Sequence, residues 1–421
     1  VSKKLLIIFS VVLLLVGGLF AACGDDGAEV EKDEILFGGS RPLTGANAVY
    51  EETAFGPIRK TWLADVNAAG GLYIEEYGKS LLLAEPLIYD DTSDLGTMTR
   101  QLELLMTVDK VDFCYPPAST ASLFAAAPIF NKYEYILMGA EGGATTIKDQ
   151  LPGMPYFFGT LNFSDWNQLP VFADLCVELG VEKVAMIWLQ DLHGIEYSGV
   201  AGTEFDRVGI EVVMSKSVPI DVSDVSLLLL EAQSSEAEAL CIFAYPDQIF
   251  LTIGTAMGMG INFDAILTGP GGCFSIFPYV VFSPEIVEGV MFEGAWTCTS
   301  SPAAQAFCDK FIAEWGLPTL DWWGHLPYQA GIEFFQQAIV EAGTLDQPTI
   351  RDIMATTTFE TVLGPTWFTM FGEGGGLMAI DCYAGQIGQW QDGTAQVIDP
   401  GAKRTAEPIY PKPDWPAAPA E

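Results

Sequence analysis

Histidine is nearly missing from this chain of 421 residues, occurring only at positions 193 and 325. No grouping of His, Cys and carboxylates has zinc-ligand spacing, so no metal centre of that kind is expected. The eight cysteines include no C-x-x-C pair. The G-x-S-x-G elbow of many hydrolases is missing as well, which weakens an enzyme reading. Basic residues are scarce: 19 Lys and Arg stand against 55 Asp and Glu, for a net charge of −36. Such a surface repels nucleic acid, whose binding needs Lys and Arg against phosphates, and it does not suit a polybasic membrane contact. High charge also keeps an exposed surface soluble. Beyond the first twenty residues no apolar run reaches membrane-spanning length. Gly78-Lys79-Ser80 ends like a phosphate loop, but Tyr73 stands where its first glycine belongs. Gly258 and Gly260 lack the third glycine of a dinucleotide fingerprint. No cofactor is expected.

What is present begins at the N-terminus. Lys3 and Lys4 precede an apolar run from Leu5 to Phe20, followed by Ala21, Ala22 and Cys23. A positive start, a short apolar stretch and small residues before a cleavage point describe a secretory signal. The residues before Cys23 resemble a bacterial lipobox, with Phe20 where Leu is usual. That resemblance implies a signal over residues 1–22, cleavage, and lipidation of Cys23. An uncleaved anchor is the alternative, and either reading puts the body outside the cytoplasm. Residues 23–34 read as an acidic tether, too polar to bury a core.

The remaining length suggests two domains or more. Short apolar segments alternate with helical periodicity. Strands are predicted at Ile35–Gly39, Leu81–Tyr89, Asp112–Tyr115 and Tyr135–Met138. Helices are predicted over 46–69, which stops at Gly70-Gly71, over 94–108, and from Ser119 to Pro128. The rhythm restarts after about residue 165. Helices are predicted at 168–179, 197–208, 222–232 and 249–259, with strands at 183–188, 212–218, 239–243 and 265–268. This alternation predicts an α/β fold of parallel sheets covered on both faces, arranged as two doubly wound lobes. Ligands of such sheets bind beyond the carboxyl ends of the strands. Gly372–Gly376 reads as a hairpin turn, and Asp90-Asp91 as strand-end turn formers. Trp296, Trp322 and Trp323 read as core residues or as walls for an aromatic or amide ligand. The nearest cysteines, Cys298 and Cys308, form a disulfide or remain buried thiols; spacing alone leaves both open. The proline-rich tail over 401–421 is expected to be extended and poorly ordered.

The order of short motifs carries more than any one of them. Pro42-Leu43-Thr44-Gly45 follows the first strand, Asn67-Ala68-Ala69-Gly70-Gly71 ends the first helix, and Tyr89-Asp90-Asp91-Thr92-Ser93-Asp94 ends the next strand. Pro116-Pro117-Ala118-Ser119-Thr120, Asp191-Leu192-His193-Gly194, Gly269-Pro270 and Tyr328-Gln329-Ala330 then appear in sequence. From about Ile35 to Pro400 this resembles the periplasmic branched-chain amino-acid binding proteins, receptor subunits of ATP-driven (ABC) amide and amino-acid transporters. The resemblance implies the type I periplasmic binding fold, two Rossmann-like lobes joined by three crossings that close over a small molecule like a hinged clamp. It places one lobe at residues 35–160 with 275–375 and the other at 161–274 with 376–400. The crossings fall near Thr160, Gly269–Phe274 and Gly376. It also implies a monomer without catalysis, partnered by a small-molecule ligand, permease subunits and, through Cys23, the membrane.

The same resemblance nominates site residues. Ser119 and Thr120 match a hydroxyl pair at a helix start, where free N–H groups and a positive dipole end suit a carboxylate; a plain N-cap is the simpler role. Tyr50, five residues after Gly45, matches an aromatic against the ligand side chain, or is a buried helix aromatic. The loop Gly139–Gly143 reaches the cleft, with Glu141 as a ligand-facing or solvated carboxylate and Gly142 and Gly143 presenting backbone. Asp165 matches a carboxylate near the first crossing. His193 stands where Tyr is usual before Gly194, and Tyr245 ends a strand at the edge of the second lobe. Gly271 falls where amino-acid binders carry the carboxylate for the ligand's ammonium. An unpaired buried ammonium costs several kcal/mol, so either Glu141 or Asp165 supplies the partner or the ligand is not an α-amino acid. A sensor for a signalling partner and an extracytoplasmic hydrolase are the competing readings.

Overall fold

In the computed structural model, the described residues are 32–140, 142–143, 145–161, 164–294, 296–320 and 325–416. The signal segment, Cys23, most of the tether, Glu141, Trp322 and Trp323 lie outside them. The rest belongs to one unit, Asp33–Glu421. Among the described residues no helix is long and apolar enough to cross a membrane.

The α/β alternation organises two groups of sheets. Strand Phe37–Arg41 pairs in parallel with Leu87–Asp90 and Phe113–Cys114. Strand Phe157–Gly159 pairs in parallel with Leu137–Gly139 and Gly376–Met378, and Phe368–Met370 adds an antiparallel edge. These short sheets share a core through Cys114, Leu137, Phe157 and Leu377 and make the first lobe. The second lobe is one seven-stranded sheet. Five of its strands, Glu211–Val218, Lys183–Leu189, Ala239–Phe243, Ala265–Thr268 and Met291–Glu293, run parallel. Ile387–Gln391 and Thr394–Asp399 complete it antiparallel.

Alternation along the strands divides the second core into two layers. Val184, Met186, Ala239, Cys241, Phe243, Ala265, Leu267 and Met291 face the helices Leu169–Leu179 and Leu192–Val208. Ala185, Ile187, Leu240, Ile242, Ile266 and Phe292 face the other way, toward Ser226–Ser234 and Pro246–Met259. Each fully buried Leu, Ile or Phe contributes roughly 1.5–3 kcal/mol before entropy is counted.

Several sequence expectations need correction. The single strand expected over Leu81–Tyr89 is two, Lys79–Leu83 and Leu87–Asp90, in different sheets. Pro86 lies between them and offers no N–H to a ladder. The helix expected to stop at Pro128 runs on to Tyr133, carried by the fully buried Phe130. Strand pairing also moves the lobe boundaries. Met291–Glu293 joins the second sheet, so residues 275–293 go with that lobe, while Gly376–Met378 stays in the first. The crossings therefore lie between Gly159 and Leu169, between Glu293 and Pro302, and between Met378 and Ile387. As far as residue 416 the tail is packed instead of loose. The Trp415 indole donates to the Ile261 carbonyl, Gln389 donates to that of Ile409, and the Lys412 ammonium lies 3.6 Å from the Trp415 ring centre.

Other features match. Gly70 and Gly71 both have positive φ at the end of helix Gly56–Ala68, and a side chain at Gly71 would strike the Leu81 carbonyl. Asp90 accepts from the backbone of Leu43, Thr44 and Thr92, as a turn former does. Gly372 turns the hairpin between Phe368–Met370 and Gly376–Met378. Trp296 is buried against Tyr383. Cys298 and Cys308 are bonded.

Beneath the first lobe lies a buried ion cluster. The Arg41 side chain reaches the Glu51 carboxylate at 2.8 and 2.9 Å. Arg59 pairs with the other Glu51 oxygen and donates to the Tyr328 hydroxyl at 3.3 Å. Burial raises the Glu51 carboxyl, but the two guanidinium groups overcome it and hold the group at about 2, below its ordinary 4.5. A depressed carboxyl stabilises the fold above its unfolded value and loses that contribution as pH falls toward 2. Glu51→Gln is expected to cost about 3 kcal/mol at neutral pH. It should also flatten the stability loss between about pH 4.5 and 2, which denaturant melts across that range will check.

Candidate functional site

The first lobe contributes a helix start and a loop. Ser119 caps helix Thr120–Tyr133, its hydroxyl accepting from the Ser122 amide at 3.3 Å. Its φ of +87° is unusual for a side-chain-bearing residue; such backbone is held only where surrounding contacts enforce it, and it clusters at ligand clamps. The buried Thr120 hydroxyl accepts from the Gly143 amide at 3.3 Å. A side chain at Gly142 would press on the Thr120 Cα, so this loop meets the helix start backbone to backbone. Tyr50, from the helical segment entering at Ala48, is buried and aimed at the other lobe.

The second lobe answers with two helix starts and a turn. Asp191 caps helix Leu192–Val208 by accepting from the Gly194 amide at 2.9 Å. That cap sets His193 on the first turn, fully buried, with its ring 4.3 Å from that of Tyr197 and 5.4 Å from that of Tyr245. Tyr245 precedes helix Pro246–Met259, and its hydroxyl lies beside Asp191 and Thr120. Phe274 follows the short turn Pro270–Cys273.

These groups meet. Tyr50 packs against Tyr245 at 6.2 Å and Phe274 at 5.4 Å between ring centres. The Tyr197 hydroxyl donates to the Gly143 carbonyl at 2.9 Å. Thr146 donates through its amide and hydroxyl to Glu196 at 2.7 and 2.6 Å. The two lobes are therefore in contact around a buried cluster walled by aromatics. Burial lowers the His193 imidazole to about 4, against the pull of Asp191. It pushes the Tyr50 and Tyr245 hydroxyls well above their ordinary value. Neither His193 nitrogen nor the Tyr50 hydroxyl has a hydrogen-bond partner among the described residues. Such an arrangement suits recognition of a polar group between flat walls. No group of three or more His, Cys, Asp or Glu among the described residues is placed to hold a metal ion.

Of the nominated residues, Tyr50, Ser119, Thr120, Gly142, Gly143, His193 and Tyr245 are brought together, and Glu141 lies outside the described residues. Asp165 is engaged elsewhere: both its oxygens take the Lys148 ammonium, at 2.7 and 2.8 Å, and the Thr145 hydroxyl donates to it. Gly271 is buried against Pro246, where a Cβ would come within 2.4 Å of the Pro246 Cα. Sequence reasoning missed Tyr197, Glu196 and Phe274. Tyr197 sits at helical spacing and reads as core, and only the lobe contact gives its hydroxyl a purpose.

Gly271→Asp therefore does not restore an ammonium partner. Overpacking should destabilise the fold by about 1–3 kcal/mol, with no gain in stabilisation by L-leucine, as thermal melts with and without the amino acid will show.

A sequence profile for periplasmic binding proteins matches residues 34–394. The Leu/Ile/Val-binding protein homolog 8 of Brucella abortus (strain 2308) is 24% identical over 301 residues, covering 67% of this chain and 70% of that protein. Among solved structures, the branched-chain amino acid transporter substrate binding protein LivJ from Streptococcus pneumoniae, in complex with isoleucine, is similar with a TM-score of 0.72. Its identity is 19%, over 90% of this chain and 100% of its own. An ABC transporter solute binding protein from Rhodopseudomonas palustris BisB5, in complex with 3,4-dihydroxy benzoic acid, reaches 0.71 at 16% identity, over 92% and 99%. The profile spans most of the chain, and the fold and motif order agree with it: the chain belongs to the periplasmic binding protein family.

Proposed function

We propose that this chain is the extracytoplasmic receptor of an ABC importer, taking a small carboxylate-bearing solute between its lobes and presenting it to the permease. One observation carries the reading: the buried cluster draws Tyr50 and Thr120 from one lobe and His193, Tyr245 and Phe274 from the other. A site built from both halves links occupancy to closure, because a ligand shifts the balance toward the state it contacts more. The helix start at Ser119 and Thr120 takes the carboxylate. The isoleucine and the 3,4-dihydroxy benzoic acid of the two solved relatives share that group. With Gly271 closed to side chains and Asp165 held by Lys148, Glu141 is the nominated carboxylate left for an α-ammonium, and the carboxylate end of the ligand is the part this reading rests on. The three crossings act as the hinge, the protein works as a monomer, and a lipid on Cys23 keeps it at the membrane.

Ser119→Ala combined with Thr120→Ala should weaken binding at least a hundredfold in calorimetry, while the lost cap costs only about 1 kcal/mol of stability. Unchanged affinity would sink the reading. The ligand is found by thermal shift with L-leucine, L-isoleucine, benzoate and hydroxybenzoates. A true ligand at a hundred times its Kd adds about 2.7 kcal/mol. Cys23→Ser should move the protein from the membrane fraction to the soluble one, measured by fractionation of expressing cells.

A further inference from the structure

Three lengths of chain cross between the lobes, and one side chain links them. Tyr383 stands on the third crossing, just past the short turn Ile380–Cys382, and is fully buried. Its hydroxyl donates to the Thr160 carbonyl of the first crossing at 3.1 Å. Its ring packs on the buried Trp296 of the second crossing, with 4.8 Å between ring centres. Both contacts are anchored. The Thr160 amide donates at 3.2 Å to the carbonyl of Gly139, at the end of a first-lobe strand. Two residues past Trp296, Cys298 is bonded to Cys308 of the first-lobe helix Pro302–Trp315. Toward the second lobe, the Gly294 amide donates to the Gln386 carbonyl at 2.7 Å and joins the second and third crossings again. Burial raises the Tyr383 hydroxyl well above its ordinary value, so it stays protonated and remains a donor.

We propose that Tyr383 is a positioning residue that joins the three crossings into one hinge, so that the lobes turn about a single axis. This rests on the clamp reading above, in which the crossings bend as the lobes close. Hinge motion is absorbed by a few residues at the ends of elements. Three crossings that bent independently would let the lobes meet in several registers. The buried cluster needs one register, because Tyr50 meets Tyr245 and Phe274 where Tyr197 reaches Gly143. A shared hydrogen bond and ring contact carry a bend in one crossing to the other two, since groups in one packed network do not respond independently.

Hydrogen exchange and spin-label distances on the unliganded Cys23→Ser chain test this. Tyr383→Phe keeps the ring on Trp296 and removes one hydrogen bond to a buried carbonyl. It should speed amide exchange over Ser164–Gln168 about fivefold. Exchange over 296–301 should quicken as well, although the lost bond does not touch that crossing. The strands Lys183–Leu189 and Ala239–Phe243 should keep their protection, because only a local opening is eased. Trp296→Leu should loosen Ser164–Gln168 from the other side, whereas Trp296→Phe, which keeps a ring against Tyr383, should not. Nitroxides at Val108→Cys and Val177→Cys report the lobe separation; both positions are exposed, one on each lobe, and the free cysteines among the described residues are buried. That separation should broaden in Tyr383→Phe and in Trp296→Leu. Faster exchange confined to Ser164–Gln168, faster exchange throughout the chain, unchanged exchange, or a separation that neither variant broadens overturns the proposal. Those outcomes leave the importer reading standing, which falls instead on the ligand assays above.

Discussion

The hydrogen bond from the Tyr197 hydroxyl to the Gly143 carbonyl joins the two lobes at the point where their loops converge. Gly143 is used from both sides, because its amide donates to Thr120 as its carbonyl accepts from Tyr197. One peptide thus connects the start of a first-lobe helix to the face of a second-lobe helix. The geometry follows from parallel pairing. Strands that run the same way deliver their next loops to one edge, and two such edges face each other here. Separation of the lobes would leave that carbonyl and hydroxyl to water, and would also break the Thr146–Glu196 hydrogen bonds and the packing of Tyr50 on Tyr245 and Phe274.

Charge is distributed to suit that contact. The chain carries a net charge of −36, yet at the cluster the carboxylates are confined to Asp191 and Glu196 at its edge, and Tyr50, His193 and Tyr245 are held neutral by burial. The strong buried charges sit behind Tyr50, where Glu51 is gripped by Arg41 and Arg59. Arg59 also lies over the Tyr115 ring and Arg41 over that of Phe55, which stacks on Tyr50. Removing one partner of a buried ion pair is far more damaging than the pair is stabilising. The cluster therefore fixes the segment that carries Tyr50 more than it adds net stability.

The fold was legible in the sequence wherever periodicity was strong. Ala239–Phe243 and Ala265–Thr268 match their predicted bounds. Later strands were not, because segments of three residues such as Met291–Glu293 and Gly376–Met378 carry too little pattern. The tail misled because proline content reports backbone preference and says nothing of the aromatic at Trp415 that pins it. The helix start at Ser119 and Thr120 was legible from local chemistry, the position of His193 from motif order, and that of Tyr245 from the strand end before it. Asp165 was not, since its engagement with Lys148 depends on a pairing 17 residues apart, across the strand Phe157–Gly159. Glu293 was least legible of all: an acid after an apolar run reads as a solvated strand end, and only the three-dimensional register buries it.

The glycines of the second lobe explain why polar groups arise where they do. Gly271 abuts Pro246 and Gly272 abuts Thr268, so neither admits a side chain. The loop after Ala265–Thr268 is a wall of backbone, packed too closely to hold the carboxylate found there in amino-acid binders. Its own hydrogen bonds run inward, from Gly269 to Ile242 and from Gly272 to Gly269. Polarity beside this loop comes instead from the helix start at His193, whose ring nitrogens have no hydrogen-bond partner among the described residues. Leaving such groups unpaired is unfavourable by about 1–3 kcal/mol each, more than a purely structural residue can justify where an apolar one would pack.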